Sequence, residues 1–294
     1  MLTLDDTKSK SDDIIHKEYS HTMINPWLQI MVVLLIRRFY LQATNALKVN
    51  NNFIHPEQFK LPENIISISP GGFMGIYMFG ICTYIKDNYH LDPYVFSGAS
   101  AGAWNALMMT YQPPPNVLLH DIHLRLLENK ELDKIHKIKD IESWLKQQII
   151  RNYEPTRFEL SKLYIGTTTL SNSGYKPQTT IFHEFKTLEE AIDCCIASSH
   201  IPFVTGGMLH TFRSQITFDG GFSRNPYLTN EEHSHILHIK PSMWESQKHK
   251  TKYQPLFDTT LFSRKAFNFK ELYEKGYTDA KSNKVFLDSI LDTK

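Results

Sequence analysis

Hydrophobic positions along this chain recur with two different periods, and the alternation between them predicts the fold. Short runs with the β-branched and aromatic content of buried strands lie at IISIS (65–69), YVF (94–96), LYIGTTTL (163–170), TTIFHEF (179–185), QITF (215–218) and HILHIK (235–240). Helical runs lie between several of them. PGGFMGIYMFGICTYIKDN (70–88) is a glycine turn opening into an apolar helix, and a second helix begins near Ala103. Helical sequence continues from the prolines at 113–115 to about residue 149. In TLEEAIDCCIASS (187–199), Thr187 with Glu190 three residues on is a capping-box signal. SNSGYKPQ (171–178) joins two strands as a hairpin. The alternation predicts an α/β protein, a three-layer sandwich with a central mixed, mainly parallel sheet. No internal repeat or low-complexity tract interrupts it.

Ahead of the first strand the pattern changes. Residues 1–22 are polar and mixed in charge, 26–48 read as a helix, and NNNFIHPEQFKLPEN (50–64) is a turn-rich linker. The expected organisation is an N-terminal extension with an amphipathic helix over 1–60 and one catalytic domain over 61–294, with its motif core at 65–232. The most apolar stretch, PWLQIMVVLLI (26–36), ends at Arg37 and Arg38 and falls short of the roughly 20 residues a spanning helix needs. At 100° per residue Val32, Ile36, Phe39, Tyr40, Ala43, Ala46 and Leu47 share one face, while Arg37, Arg38, Gln42, Asn45 and Lys48 lie opposite. Two readings stand side by side: the helix packs on the following domain, or it is a reversible membrane anchor or chain-to-chain surface. The polar start lacks the basic and apolar segments of a signal peptide. An intracellular location is expected, with peripheral membrane contact if the anchor reading holds.

Composition narrows the classes. The 294 residues are 41% hydrophobic, enough for a sizeable core, and the net charge of +1 gives no field that would draw the chain onto nucleic acid. Cys82 and the adjacent Cys194 and Cys195 do not make a disulfide scaffold and fit a reducing compartment.

Three glycine-marked turns carry the candidate chemistry. In GASAG (98–102) a buried strand ends in Ser100, with Gly98 and Gly102 two residues to either side and a helix following. Strand, tight turn and helix are the context a G-x-S-x-G nucleophile elbow requires, although small-residue turns also serve packing alone. Upstream, PGGFMG (70–75) reads either as a phosphate cradle, with the dinucleotide pattern incomplete at Pro70, or as oxyanion donors at Gly71 and Gly72. Downstream, DGG (219–221) puts Asp219 at a strand end before Gly220 and Gly221, which alone would also describe a hairpin turn. In an α/β pattern the three turns converge at one edge of the sheet.

Taken in order, PGGFMG, GASAG, ASSHIPF (197–203) and DGG resemble the patatin-like phospholipases, and LYEKGYTDA (272–280) is similar to a closing helix of animal members. GFMGIY (72–77) is nearer to the branch containing adipose triglyceride lipase and adiponutrin, though Met74 stands where that branch usually has Lys or Arg. The resemblance spans about 65–280. It implies a patatin-like fold and a Ser–Asp dyad without histidine: Ser100 as nucleophile, Asp219 as general base, and oxyanion amides at Gly71, Gly72 and Ala101, with Gly75, Gly98, Gly102, Gly220 and Gly221 as motif glycines. Pro70 takes the place of the first loop glycine and has no N–H, which weakens the expected oxyanion hole.

The dyad is sound chemistry in its own right, since an ordinary carboxylate is ionised at pH 7 and accepts a hydroxyl proton within hydrogen-bond reach. The implied partner is an acyl lipid, phospholipid or acylglycerol, cleaved at its carboxylic ester through an acyl-enzyme. A transacylase on the same dyad and a catalytically weak lipid-binding protein are the alternatives. His200 is expected at a helix end or on the surface, and Asn225 as an ordinary turn amide with loop orientation as its other reading. HDIH (120–123) and HSHILH (233–238) lack established metal spacing, so no metal and no cofactor are expected.

Overall fold

The computed structural model describes residues 62–134, 138–170, 177–223, 225–228, 237–244 and 268–294. The expected helix at 26–48, the boundary at 60/61 and the hairpin turn at 171–176 lie outside these residues. The first strand, β1 (Ile65–Ile68), is buried throughout. It leads through a 3₁₀ turn (Gly72–Met74) into α1 (Gly75–Asn88). Next come β2 (Val95–Ala99) and α2 (Ala101–Met109). The long helical run expected after the prolines divides into α3 (Leu119–Leu127), α4 (Lys130–Lys134) and α5 (Ile138–Asn152). The first break falls where Asn129 Oδ1 accepts the Glu131 N–H at 2.9 Å and starts a new helix. Then follow β3 (Leu163–Leu170), β4 (Pro177–Phe182), α6 (Leu188–Ser198), β5 (His210–Phe212), β6 (Gln215–Phe218) and β7 (Leu237–Ile239). The last described elements are α7 (Phe269–Ser282) and α8 (Lys284–Asp288).

The sheet is mixed, with β7, β1, β2 and β3 pairing in parallel from the β7 edge inward and β4, β5 and β6 joining in antiparallel fashion. Helices flank it, as an α/β sandwich requires. One edge of β3 pairs with β4 along residues 165–170. Its other edge is shared: β2 pairs with residues 163–166 and β6 with 168–169. β2 and β6 therefore run toward each other along the same edge of β3 and stop head to head. Ser100 and Asp219 are the residues at the two ends.

Two strands differ from expectation. β4 ends at Phe182 rather than running to 185, because Glu184 takes a left-handed φ of 56° and leaves the sheet. β5 carried no sequence signal, because the β5–β6 turn is Arg213–Ser214, at φ 44° and 62°, without the Asn or Gly such a turn favours. Arg213 holds it from outside. Its guanidinium donates to Glu190 Oε1 at 3.0 Å, His183 O at 2.9 Å and Glu184 O at 3.0 Å, and lies over the Phe185 and Phe212 rings. Thr187 Oγ1 caps α6 by accepting the Glu190 N–H at 3.1 Å, as expected. The return bond goes from Lys186 N–H to Glu190 Oε2 at 2.8 Å rather than from the Thr187 amide.

The main core lies between the sheet and its helices and includes Ile66, Ile68, Met78, Ile81, Phe96 and Leu107. α7 crosses α1 where Gly80 faces the backbone of Tyr273 and Gly276 that of Tyr77, so a Cβ on either glycine would strike the opposite helix. Tyr77 Oη donates to Asp279 Oδ2 at 2.8 Å across the same contact. All three thiols are buried and unbridged.

Candidate active site

Ser100 sits between β2 and α2 at φ 54° and ψ −128°, a conformation a non-glycine residue adopts only when its surroundings impose it. The surroundings are glycines: a Cβ on Gly98 would strike the Gly102 carbonyl, and one on Gly102 the Ile68 carbonyl. Strand and helix can approach closely only because both positions lack a side chain. The Ser100 N–H donates to Ser198 Oγ at 2.8 Å, and Ser198 Oγ donates to the Gly166 carbonyl of β3 at 2.7 Å. A second serine thus ties the turn to the sheet.

The Ser100 hydroxyl points at Asp219, donating to Oδ2 at 2.7 Å. Oδ1 of the same carboxyl accepts the Gly221 N–H at 2.6 Å. The Asp219 backbone is fixed at both ends, its N–H donating to His200 O at 2.7 Å and its carbonyl accepting from Thr168 Oγ1 at 3.0 Å. Both side chains are buried, at 8% and 5% exposure. Burial pushes the Asp219 carboxyl up to about 6, against the two hydrogen bonds that favour its ionised form. At pH 7 it remains largely a carboxylate, though less completely than an ordinary aspartate.

Gly72, Gly75 and Ala101 line one cavity with Ser100 and Asp219, of about 140 Å³. Gly72 takes the left-handed φ of 51° its turn needs. A Cβ on Gly75 would lie 2.6 Å from that of Ala101, so the glycine loop abuts the elbow directly. Gly71 lies off the lining, against Met78 and Pro241. Pro70 packs beside the third turn, where a Cβ on Gly221 would meet the Pro70 ring at 3.2 Å. A Cβ on Gly220 would strike the Gly166 carbonyl of β3. The rest of the wall is mostly hydrocarbon from several helices, with Phe79, Met108, Leu126, Leu145 and Ile149 among it, and Asn105, Ser199 and Thr205 line it while hydrogen-bonded within the chain. One acid, Glu142, interrupts it.

The histidines stand elsewhere. His200 follows α6 as expected but is buried at 3% exposure, not on the surface. Burial lowers it to about 4, helped by neighbouring His210, and its Nε2 has no partner, so it stays neutral. Its contribution to Asp219 is a backbone carbonyl. His123 Nδ1 bonds Thr83 Oγ1 at 2.8 Å, and His120 Nδ1 bonds Tyr273 Oη at 3.2 Å, so HDIH serves packing between α1, α3 and α7. HSHILH is described only from residue 237 on, and Asn225 is exposed. Among the described residues no cluster of His, Cys, Asp and Glu is set to hold a metal, and no helix is long and apolar enough to cross a membrane.

Three residues of the site escaped the sequence reading. Ser198 fell within the ASSHIPF stretch without a role, Thr168 looks like any strand threonine, and Glu142 looks like one more acid on an amphipathic helix.

The chain is 25% identical over 167 residues to human (Homo sapiens) 1-acylglycerol-3-phosphate O-acyltransferase PNPLA3, an alignment taking in 54% of this chain and 34% of the human protein. The family model of patatin-like phospholipase matches residues 66–229, more than half of the chain, with all three glycine-marked turns inside the match. The chain belongs to the patatin-like phospholipase family.

Proposed function

We propose that this protein is a lipid acyl hydrolase that cleaves carboxylic esters through Ser100 and Asp219. The observation that carries the reading is the 2.7 Å hydrogen bond from the Ser100 hydroxyl to Asp219 Oδ2, made on a strained turn at the wall of an apolar cavity. Asp219 takes the hydroxyl proton as Ser100 Oγ attacks the ester carbonyl. The amides of Gly72 and Ala101 receive the oxyanion, with Gly71 in support and no donor at Pro70. The tetrahedral adduct collapses to a serine ester, and the departing alkoxide takes the proton from Asp219. Water then gives a proton to Asp219 as it attacks the acyl-enzyme, and the second adduct collapses by breaking the Ser100 Oγ–acyl bond, so that Oγ takes the proton back from Asp219 and the free carboxylic acid leaves. The apolar wall suits the acyl chain.

A transacylase reading has one specific support: the human relative is called an acyltransferase. The same acyl-enzyme would then pass to an alcohol instead of water. Motif GFMGIY favours the branch containing adipose triglyceride lipase and adiponutrin within the family, and we assign residues 61–294 to the catalytic domain with 1–60 as an extension.

A fluorophosphonate probe should label the protein at Ser100, and Ser100→Ala should abolish both labelling and ester hydrolysis in a folded protein. Labelling at another serine with Ser100 unmodified would remove the dyad. Product analysis with and without an added lipid alcohol separates hydrolysis from acyl transfer.

A further inference from the structure

The cavity at Ser100 contains a polar group for which the dyad has no use. Glu142 lies on α5 and faces inward with Ile141, Leu145 and Ile149, the spacing of one helical face. It is 8% exposed. Its carboxyl makes no hydrogen bond and no ion pair with any described residue. Lys146, one turn on, is committed to Asp193 of α6 at 2.5 Å. The titratable groups acting on Glu142 across the cavity are Asp219 and the buried thiol of Cys195 on α6. Burial first, and then the negative charge of Asp219, hold its carboxyl well above the ordinary carboxylate range. Glu142 therefore favours its protonated form more than an ordinary glutamate does, and that form presents one O–H donor and one carbonyl acceptor to the cavity.

A carboxyl set in an apolar wall and bonded to no described residue opens onto the cavity, and native proteins rarely keep such a group there without a use. A wall built only for hydrocarbon would have leucine or methionine there. The group that matches a neutral carboxyl at both atoms is an alcohol hydroxyl, which donates to the carbonyl and accepts from the O–H. An ester oxygen only accepts, and a methylene does neither.

On the dyad reading above, we infer that Glu142 is a specificity-determining residue that receives a free hydroxyl of the substrate, so that the site prefers partially acylated lipids to fully capped ones. Glu142 does not touch the reacting atoms in this scheme. It discriminates because a capped lipid leaves its O–H or its carbonyl without a partner. A site built to hydrogen-bond a hydroxyl rejects the analogue lacking it far more strongly than a hydrocarbon pocket rejects an extra methyl.

The test compares 1-decanoylglycerol with the same lipid bearing both hydroxyls as methyl ethers, using the full chain. Wild type should favour the free-hydroxyl lipid in kcat/KM by about tenfold to a hundredfold, mainly through KM. Glu142→Leu and Glu142→Met should bring that ratio toward one, and Glu142→Gln, neutral and still able to donate and accept, should keep most of it. Calorimetric titration of both lipids into Ser100→Ala reads the same preference without turnover, so an inactive dyad would not hide it. The inference is overturned if wild type and Ser100→Ala show no preference, if the leucine and methionine variants keep it, or if glutamine loses it as fully as leucine. Loss of p-nitrophenyl butyrate hydrolysis in wild type would count against the dyad and not against Glu142.

Discussion

At the scale of the residue, Asp219 joins stability to the proposed chemistry. Its buried carboxyl titrates near 6 where an unfolded aspartate titrates near 3.8. Protonated in the fold and ionised in the unfolded chain between those values, it contributes stability at low pH that is lost as pH rises through about 6. At neutral pH the ionised form therefore works against folding, by up to about 3 kcal/mol. Asp219→Asn should raise the thermal midpoint at pH 7, with the gain shrinking as pH falls toward 4. The same variant should lower kcat by roughly 10²–10⁴ with little change in KM, the range for removing a general base. Because the ionised form is the base, kcat/KM in the wild type should rise with pH through a midpoint near 6 and level off above 7. A profile still rising from 7 to 9 would point to a different base. Ser198 is the neighbouring case: Ser198→Ala should remove the acceptor of the Ser100 amide, destabilising the elbow by about 1–3 kcal/mol.

At the scale of the element, backbone contacts and one arginine decide what packs. α1 and α7 cross with Gly80 and Gly276 at the contact, and neither backbone can retreat without opening the core around Met78 and Ile81. Gly276→Ala should cost about 2–4 kcal/mol through overpacking, read in a denaturant titration. Fluorophosphonate labelling of whatever fraction stays folded should persist, because Ser100 belongs to a different junction. The β5–β6 turn is the opposite case, an element whose local residues do not favour their own conformation. Arg213 supplies what Arg-Ser lacks by bonding two carbonyls and Glu190 and covering two rings. Arg213→Ala should destabilise by about 1–3 kcal/mol and loosen β6, so that Asp219 moves relative to Ser100 and activity falls as well.

At the scale of the whole molecule, the prediction concerns residues 1–60, which we assign to an extension. A chain beginning at residue 61 should fold, hydrolyse a short-chain ester and lose affinity for phosphatidylcholine vesicles in cosedimentation. If it unfolds, or binds vesicles as well as the full chain, the anchor reading fails and the segment 26–48, expected to be helical, belongs to the core. The sequence by itself determined the succession of strands and helices, the α/β class and the positions of the three glycine-marked turns. Those signals are local: an apolar run of four to eight residues, or glycines at the spacing where Gly98 and Gly102 let a strand and helix close on each other. The pairing of Ser100 with Asp219 came from the family resemblance, but how they meet is a matter of tertiary structure, because the two lie 119 residues apart and their strands abut only through the shared edge of β3. The same holds for Arg213 closing a turn its own sequence disfavours, and for His200 being buried and neutral. It holds for Glu142 above all, which reads as a solvated helix charge until α5 turns it inward. Pairing across a sheet and the loss of water around a carboxyl both depend on chain brought in from far away, and no window of sequence carries them.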